Sequence, residues 1–131
     1  MTRHQERVWA LQILYSLDLI EEINKGEADK KIRIIKEENQ LDNNDYYFEG
    51  LVIGTIENTE RYNSLINEKA IDWKVDRMPY IDRNILRLAL FELENDVPVG
   101  VVINEAVELA KEYADSQSAK FINGILAKIK Y

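Results

Sequence analysis

Asn104-Glu105-Ala106-Val107-Glu108-Leu109-Ala110-Lys111 and Lys120-Phe121-Ile122-Asn123-Gly124-Ile125-Leu126 decide the fold. Both set apolar residues three and four apart, the period of a helix with one buried stripe. Val102, Ala106, Leu109, Ala110 and Tyr113 make the first stripe, and Phe121, Ile122, Ile125, Leu126 and Ile129 the second. Asp115-Ser116 lies between them and offers oxygens to cap the second helix. Both segments also carry polar groups, Asn104, Glu105 and Asn123 among them, that amphipathic packing alone does not require.

The same period extends backwards. Ile81, Ile85 and Leu88 flank Leu86, Ala89 and Leu93 in a helix over 80–93, closed by the turn Asn95-Asp96-Val97-Pro98. Residues 70–80 form a joint in which Trp73 anchors and Pro79 interrupts. A first helix fits 2–20, with Val8, Leu11 and Tyr15 on one stripe and Ala10, Leu14 and Leu17 beside it. So wide an apolar face implies burial against more than one neighbour. Asn24-Lys25-Gly26 breaks the pattern before a short charged helix over 27–39. Asn43-Asn44-Asp45 then offers caps to a long third helix, with Phe48, Val52 and Ile56 at its start and Leu65 and Ile66 at its end. Gly50 and Gly54 inside it each cost about 1 kcal/mol of helix propensity, so close helix–helix approach is expected there. No stretch alternates as a strand would. The chain is therefore predicted to be all-α, with about seven helices in two packed helical subdomains, about 1–70 and about 71–131.

Composition narrows the function. The chain has 131 residues, suited to one compact domain. With no cysteine, disulfides, thiolate nucleophiles and zinc–thiolate sites are excluded. No apolar run is long enough to span a membrane, and Glu6, Gln12 and Asp18 interrupt any leader-like segment. A cytoplasmic protein is expected. His4 is the only histidine and sits near a terminus, the five glycines form no phosphate loop, and Glu105, Glu108 and Glu112 read as a solvated face paired with Lys111. No catalytic residue, metal site or cofactor is expected, and the chain does not read as an enzyme.

Recognition remains. The net charge of −7 is unusual for a nucleic-acid binder, so such binding needs a local patch or a basic partner. Charge is uneven: five basic residues face three acidic ones over 25–37, whereas six acidic residues face only Arg61 over 42–68. Both runs read as solvated helix faces. Arg3, His4 and Arg7 stand at helical spacing beside Gln12 and Tyr15, where they can share a face and grip phosphates. Phe121 has the spacing of a core residue, yet it sits beside Lys120 at a capped helix start, a place that favours anions and allows a ring to stack on a base.

Taken together, several separated motifs resemble the NusB family of bacterial transcription antitermination factors. They are Asp82-Arg83-Asn84-Ile85-Leu86-Arg87-Leu88-Ala89, Glu92-Leu93, Pro98, Ile103 through Lys111, and Lys120 through Leu126. The opening run Arg7, Ala10-Leu11-Gln12, Leu14-Tyr15 fits as well, so the resemblance covers nearly the whole chain. It implies two helical subdomains and pairing with NusE, a ribosomal small-subunit protein. It further implies binding of the single-stranded boxA element in nascent RNA, notably ribosomal RNA leaders, and a place in the antitermination complex of RNA polymerase.

Position by position, the resemblance assigns Arg3, His4, Arg7, Gln117, Ser118, Lys120 and Phe121 to RNA. It assigns Asp82, with Tyr15 and Leu19 on the same side, to NusE, and Arg87, Asn104, Glu105, Asn123 and Gly124 mainly to structure. Many relatives begin with a denser arginine cluster; His4 and Gln5 interrupt it here, which predicts weak RNA binding without NusE. Two other readings are an interaction adaptor that pairs with NusE without RNA, and the NusB-like front domain of a ribosomal RNA methyltransferase. For the second, a chain of 131 residues leaves no room for a methyl-donor domain.

Overall fold

A computed structural model describes residues 1–129. The described residues form seven α-helices: α1 (Arg3–Leu19), α2 (Lys25–Glu38), α3 (Tyr47–Glu57), α4 (Thr59–Lys69), α5 (Tyr80–Glu94), α6 (Val99–Tyr113) and α7 (Ser116–Lys128). A single 3₁₀ turn, Val75–Arg77, precedes α5, and there is no strand among the described residues. The chain divides into two compact units, Met1–Glu57 and Asn58–Tyr131.

Capping fixes several helix starts. The Thr2 hydroxyl accepts from the Gln5 amide at 3.0 Å, Asn24 Oδ1 from Glu27 at 2.9 Å, and Asp115 Oδ1 from Ser118 at 2.7 Å. Each satisfies an amide that has no partner inside its helix. Pro79 and Pro98 stand just before α5 and α6 with φ of −54° and −55°, the torsion their rings impose.

In the first unit α1 packs against both α2 and α3, as its broad apolar face requires. Val8, Leu11, Leu14 and Leu17 bury with Ala28 and Ile32 of α2 and Phe48, Leu51 and Val52 of α3. Trp9 meets Phe48 edge-on at 5.3 Å, the geometry that ring quadrupoles favour. The expected long third helix is two helices. Asn58 (φ −118°, ψ 13°) interrupts it, and Asn58-Thr59 are residues whose side chains compete with helical backbone bonds. The chain therefore divides after Glu57, while the joint near residue 70 lies at the far end of α4.

Asn43-Asn44-Asp45 does not cap α3. Asp42 gathers that segment, accepting from the Asn44 amide at 3.0 Å and the Tyr46 hydroxyl at 2.8 Å. The start of α3 is capped from a distance: Glu6 of α1, 6% exposed, accepts from the Phe48 amide at 3.2 Å. The expected close approach at Gly50 is also absent. Gly50 is exposed, and a Cβ built on it meets nothing within 4 Å.

In the second unit α5 packs against α4, α6 and α7. Ile85, Leu86, Leu88, Ala89 and Leu90 are buried with Val102, Leu109, Ile122 and Leu126. Arg87 is enclosed with them; its Nε donates to Asn63 Oδ1 at 2.9 Å and its Nη1 to Asn84 Oδ1 at 3.2 Å, tying α4 to α5. The assignment of Arg87 to structure fits this placement. Asn104, Asn123 and Gly124 stand exposed instead of bracing helix crossings. Trp73 does not anchor the joint: it is 52% exposed, whereas Val75 and Met78 are buried. Lys74 closes the joint by donating to the Asn67 carbonyl at 2.9 Å, and Asn67 Oδ1 accepts from the Val75 amide at 2.7 Å.

Glu6→Ala is expected to lower unfolding free energy by about 1–3 kcal/mol in chemical denaturation, because the buried Phe48 amide loses its acceptor. Gly50→Ala is expected to raise it by about 0.5–1 kcal/mol, since the methyl group enters open space on a helix.

Candidate nucleic-acid and partner interface

The N-termini of α5 and α7 build a pocket within the second unit. Pro79 starts α5 so that Asp82 falls in its first turn, where a carboxylate is favoured by the free amides and the helix dipole. Asp115 caps α7 and thereby sets Ser118 in the first turn of that helix. The two turns are joined: Ser118 Oγ donates to Asp82 Oδ2 at 3.1 Å. Around this bond lies a cavity of about 670 Å³. Trp73, Tyr80 and Phe121 supply aromatic surface, Arg77, Asp115 and Gln117 polar groups, and Met78 and Pro79 the rest of its lining.

Asp82 is 4% exposed, and its Oδ1 is buried without a hydrogen-bond partner. Burial pushes its carboxyl above the ordinary range and the nearby Asp115 charge adds to this; the Ser118 bond opposes both and is outweighed. Gln117 and Lys120 are exposed, and Ser118 and Phe121 half-buried. Outside the cavity lining, the Arg83 guanidinium lies 4.3 Å from the Tyr80 ring centre.

The first unit holds the other candidate residues. Arg3 is exposed; its guanidinium sits 3.8 Å from the Tyr47 ring centre and its Nη1 lies 3.3 Å from Glu6 Oε2. Arg7 is only 5% exposed, with its guanidinium 6.0 Å from the same ring. His4 and Tyr15 are half-buried, and Leu19 is 52% exposed. Arg3 and Arg7 thus share one aromatic neighbour, but only Arg3 is presented to solvent.

Within the second unit the structure brings Asp82, Gln117, Ser118 and Phe121 into one cavity; Lys120 is not among its lining residues. Three aromatic residues of these sites are not marked as such by the sequence. Tyr47 is distant along the chain from the arginines it meets and carries no local signal. Trp73 and Tyr80 flank a joint, and only folding turns them towards Phe121. Among the described residues no group of three or more histidines, aspartates or glutamates is placed to hold a metal ion. No helix there is long and apolar enough to cross a membrane.

Helices presenting exposed cations, half-exposed rings and a recessed carboxylate define a recognition module. Comparison with known proteins specifies it. The NusB family profile matches residues 4–130. The transcription antitermination protein NusB of Halothermothrix orenii is 59% identical over 128 residues, spanning 98% of this chain and 96% of that protein. A Thermotoga maritima NusB structure superposes with a TM-score of 0.80 at 30% identity, covering 98% of this chain and 89% of the other. A crystal structure of antitermination factors NusB and NusE in complex with double-stranded RNA matches at TM-score 0.80 and 32% identity, covering 97% of this chain and 96% of the matched one. The chain belongs to the NusB family. Like the curated relatives it matches, it is a transcription antitermination factor, a regulatory protein and not an enzyme.

The buried Asp82 has a measurable signature. A carboxyl whose folded pKa is raised binds its proton more tightly in the folded state. Its contribution therefore favours folding below the unfolded pKa and is lost as pH rises through the folded one. Asp82→Asn keeps an acceptor for Ser118 and removes the buried charge. It is expected to raise the melting temperature at neutral pH, with an advantage that shrinks on acidification as wild-type Asp82 takes up its proton. Parallel thermal melts across pH check this.

Proposed function

We propose that this chain pairs with NusE and that the pair binds the single-stranded boxA element of nascent RNA, notably in ribosomal RNA leaders. There it serves the antitermination complex of RNA polymerase in the cytoplasm. The observation that carries this reading is the likeness, over 97% of the chain, to a NusB that was crystallised with NusE and RNA.

RNA-facing roles fall to Arg3, His4 and Arg7 in the first unit and to Gln117, Ser118, Lys120 and Phe121 in the second. Arg3 and Lys120 are exposed and suited to phosphates; Arg7 is buried, which suits it to holding the N-terminal segment around Tyr47. Phe121, half-buried at a pocket wall, offers a face to an unpaired base. Tyr15 and Leu19 on α1 and Asp82 at the start of α5 are the residues proposed to serve pairing with NusE. The net charge of −7 gives NusE a physical task. A basic partner adds phosphate contacts, and each one releases counterions on binding.

Gel-shift titration with boxA RNA is expected to show weak binding by the chain alone and a marked gain with NusE, both weakening as salt rises. Equal binding with and without NusE contradicts the shared site. Pairing with NusE but no shift at any low salt concentration identifies the adaptor instead. Phe121→Ala is expected to cost about 1–3 kcal/mol of RNA affinity if the ring stacks on a base. A lowered melting temperature with affinity retained returns Phe121 to the core.

A further inference from the structure

A second cavity of the Asn58–Tyr131 unit, about 660 Å³, opens where α4, the 3₁₀ turn and α5 meet. Asn63 and Asn67 line it from α4, Lys74, Val75 and Asp76 from the joint, and Arg83 and Arg87 from α5. Three cations thus meet one carboxylate there, in a chain whose net charge is −7. No aromatic ring stands among the described lining residues.

The two asparagines are oriented by what they accept. Arg87 Nε donates to Asn63 Oδ1 at 2.9 Å, and the Val75 amide donates to Asn67 Oδ1 at 2.7 Å. Neither donor can accept, so the oxygen is the end of each side chain that meets it. The opposite end, the Nδ2 donor pair, is fixed with it, and both residues are only half-buried at the cavity wall. Lys74 is anchored by the carbonyls of Asn67 at 2.9 Å and Ala70 at 3.4 Å, which orient an ammonium without neutralising it. Arg83 Nη1 donates to the Val75 carbonyl at 3.2 Å, and Arg87 brings a third positive charge into the wall. Closing the joint uses the asparagine oxygens and some of these donors. It does not account for three charges gathered where one carboxylate opposes them.

Donors and positive charge held in place before anything binds are complementary to an anion rich in acceptors. A carboxylate offers two oxygens in one plane. A phosphate offers three acceptor oxygens in different directions, which suits donors arriving from α4, the joint and α5. With no ring to stack on, the cavity has nothing to hold a base. We propose that it is a phosphate-binding site, in which the Nδ2 groups of Asn63 and Asn67 donate to phosphate oxygens and Lys74, Arg83 and Arg87 supply the charge. Asp76 opposes binding. The phosphate groups have two sources, a free phosphate compound or the backbone of an RNA strand. The site depends neither on NusE nor on boxA.

The test follows the side-chain amide resonances of Asn63 and Asn67 and the backbone amide of Val75 in the full chain by NMR. Inorganic pyrophosphate, added at constant ionic strength, is expected to shift them saturably. Asp76→Asn, at an exposed position, is expected to tighten binding about threefold. Asn67→Asp keeps an acceptor for the Val75 amide but sets a carboxylate where donors stood. It is expected to weaken binding roughly tenfold or more, read at Asn63 and Val75, with the melting temperature retained. A merely structural Asn67 predicts the same pyrophosphate response in that variant. If Asn67→Asp folds poorly, the gain in Asp76→Asn carries the test.

A single-stranded oligouridylate without boxA is titrated in parallel. Shifts of the same resonances, reversed by pyrophosphate, assign the site to RNA backbone; a response to pyrophosphate alone assigns it to free phosphate compounds. No saturable shift with either probe overturns the site, as does a response that both variants leave unchanged. Because neither NusE nor boxA enters the experiment, its failure leaves the reading of the preceding subsection untouched.

Discussion

The hydrogen bond from Ser118 to Asp82 joins the first turns of two helices whose starts are set by separate devices, Pro79 for α5 and Asp115 for α7. Because both turns are fixed by their caps, the side chains they carry have little choice of direction. Asp82 is turned inwards, Phe121 forms a wall, and Gln117 and Lys120 stay in water. The bond satisfies one oxygen of a carboxyl whose pKa burial raises. The other oxygen is buried without a hydrogen-bond partner.

The first unit uses a carboxylate in the opposite way. Glu6 is as enclosed as Asp82, but its two oxygens are engaged by the Phe48 amide and by Arg3. It fixes the start of α3 and, through it, Tyr47, on which the Arg3 guanidinium rests. Held in this way, Arg3 keeps less side-chain freedom than a lysine swinging in solvent would. The guanidinium of the buried Arg7 supports the arrangement from within. A short basic segment thus gains order from an aromatic ring and a buried acid.

Electrostatics gives these sites their dependence on company. A chain with 24 acidic and 17 basic residues repels a polyanion at long range, and the Debye length of about 8–10 Å at physiological salt confines the attraction of single cations to close contact. Local recognition by rings and recessed acceptors is little affected by net charge, whereas affinity is.

Helix type, the approximate helix count and most helix boundaries were legible in the sequence because they follow from short-range periodicity and from caps within a few residues, such as Thr2, Asn24 and Asp115. Family membership was legible in the motifs from Asp82 to Leu126. The break at Asn58 was not, because Phe48 through Ile66 keeps a helical apolar period across it. Nor was the cap on α3, whose acceptor comes from Glu6, far away in sequence. The same reason hid Tyr47 beside the arginines and left Trp73 reading as an anchor. Residue types and spacing determine which helices form and which faces are apolar. Which polar group ends up enclosed, which ring faces it, and which oxygen lacks a partner depend on side chains from different helices meeting, and only the tertiary structure decides that.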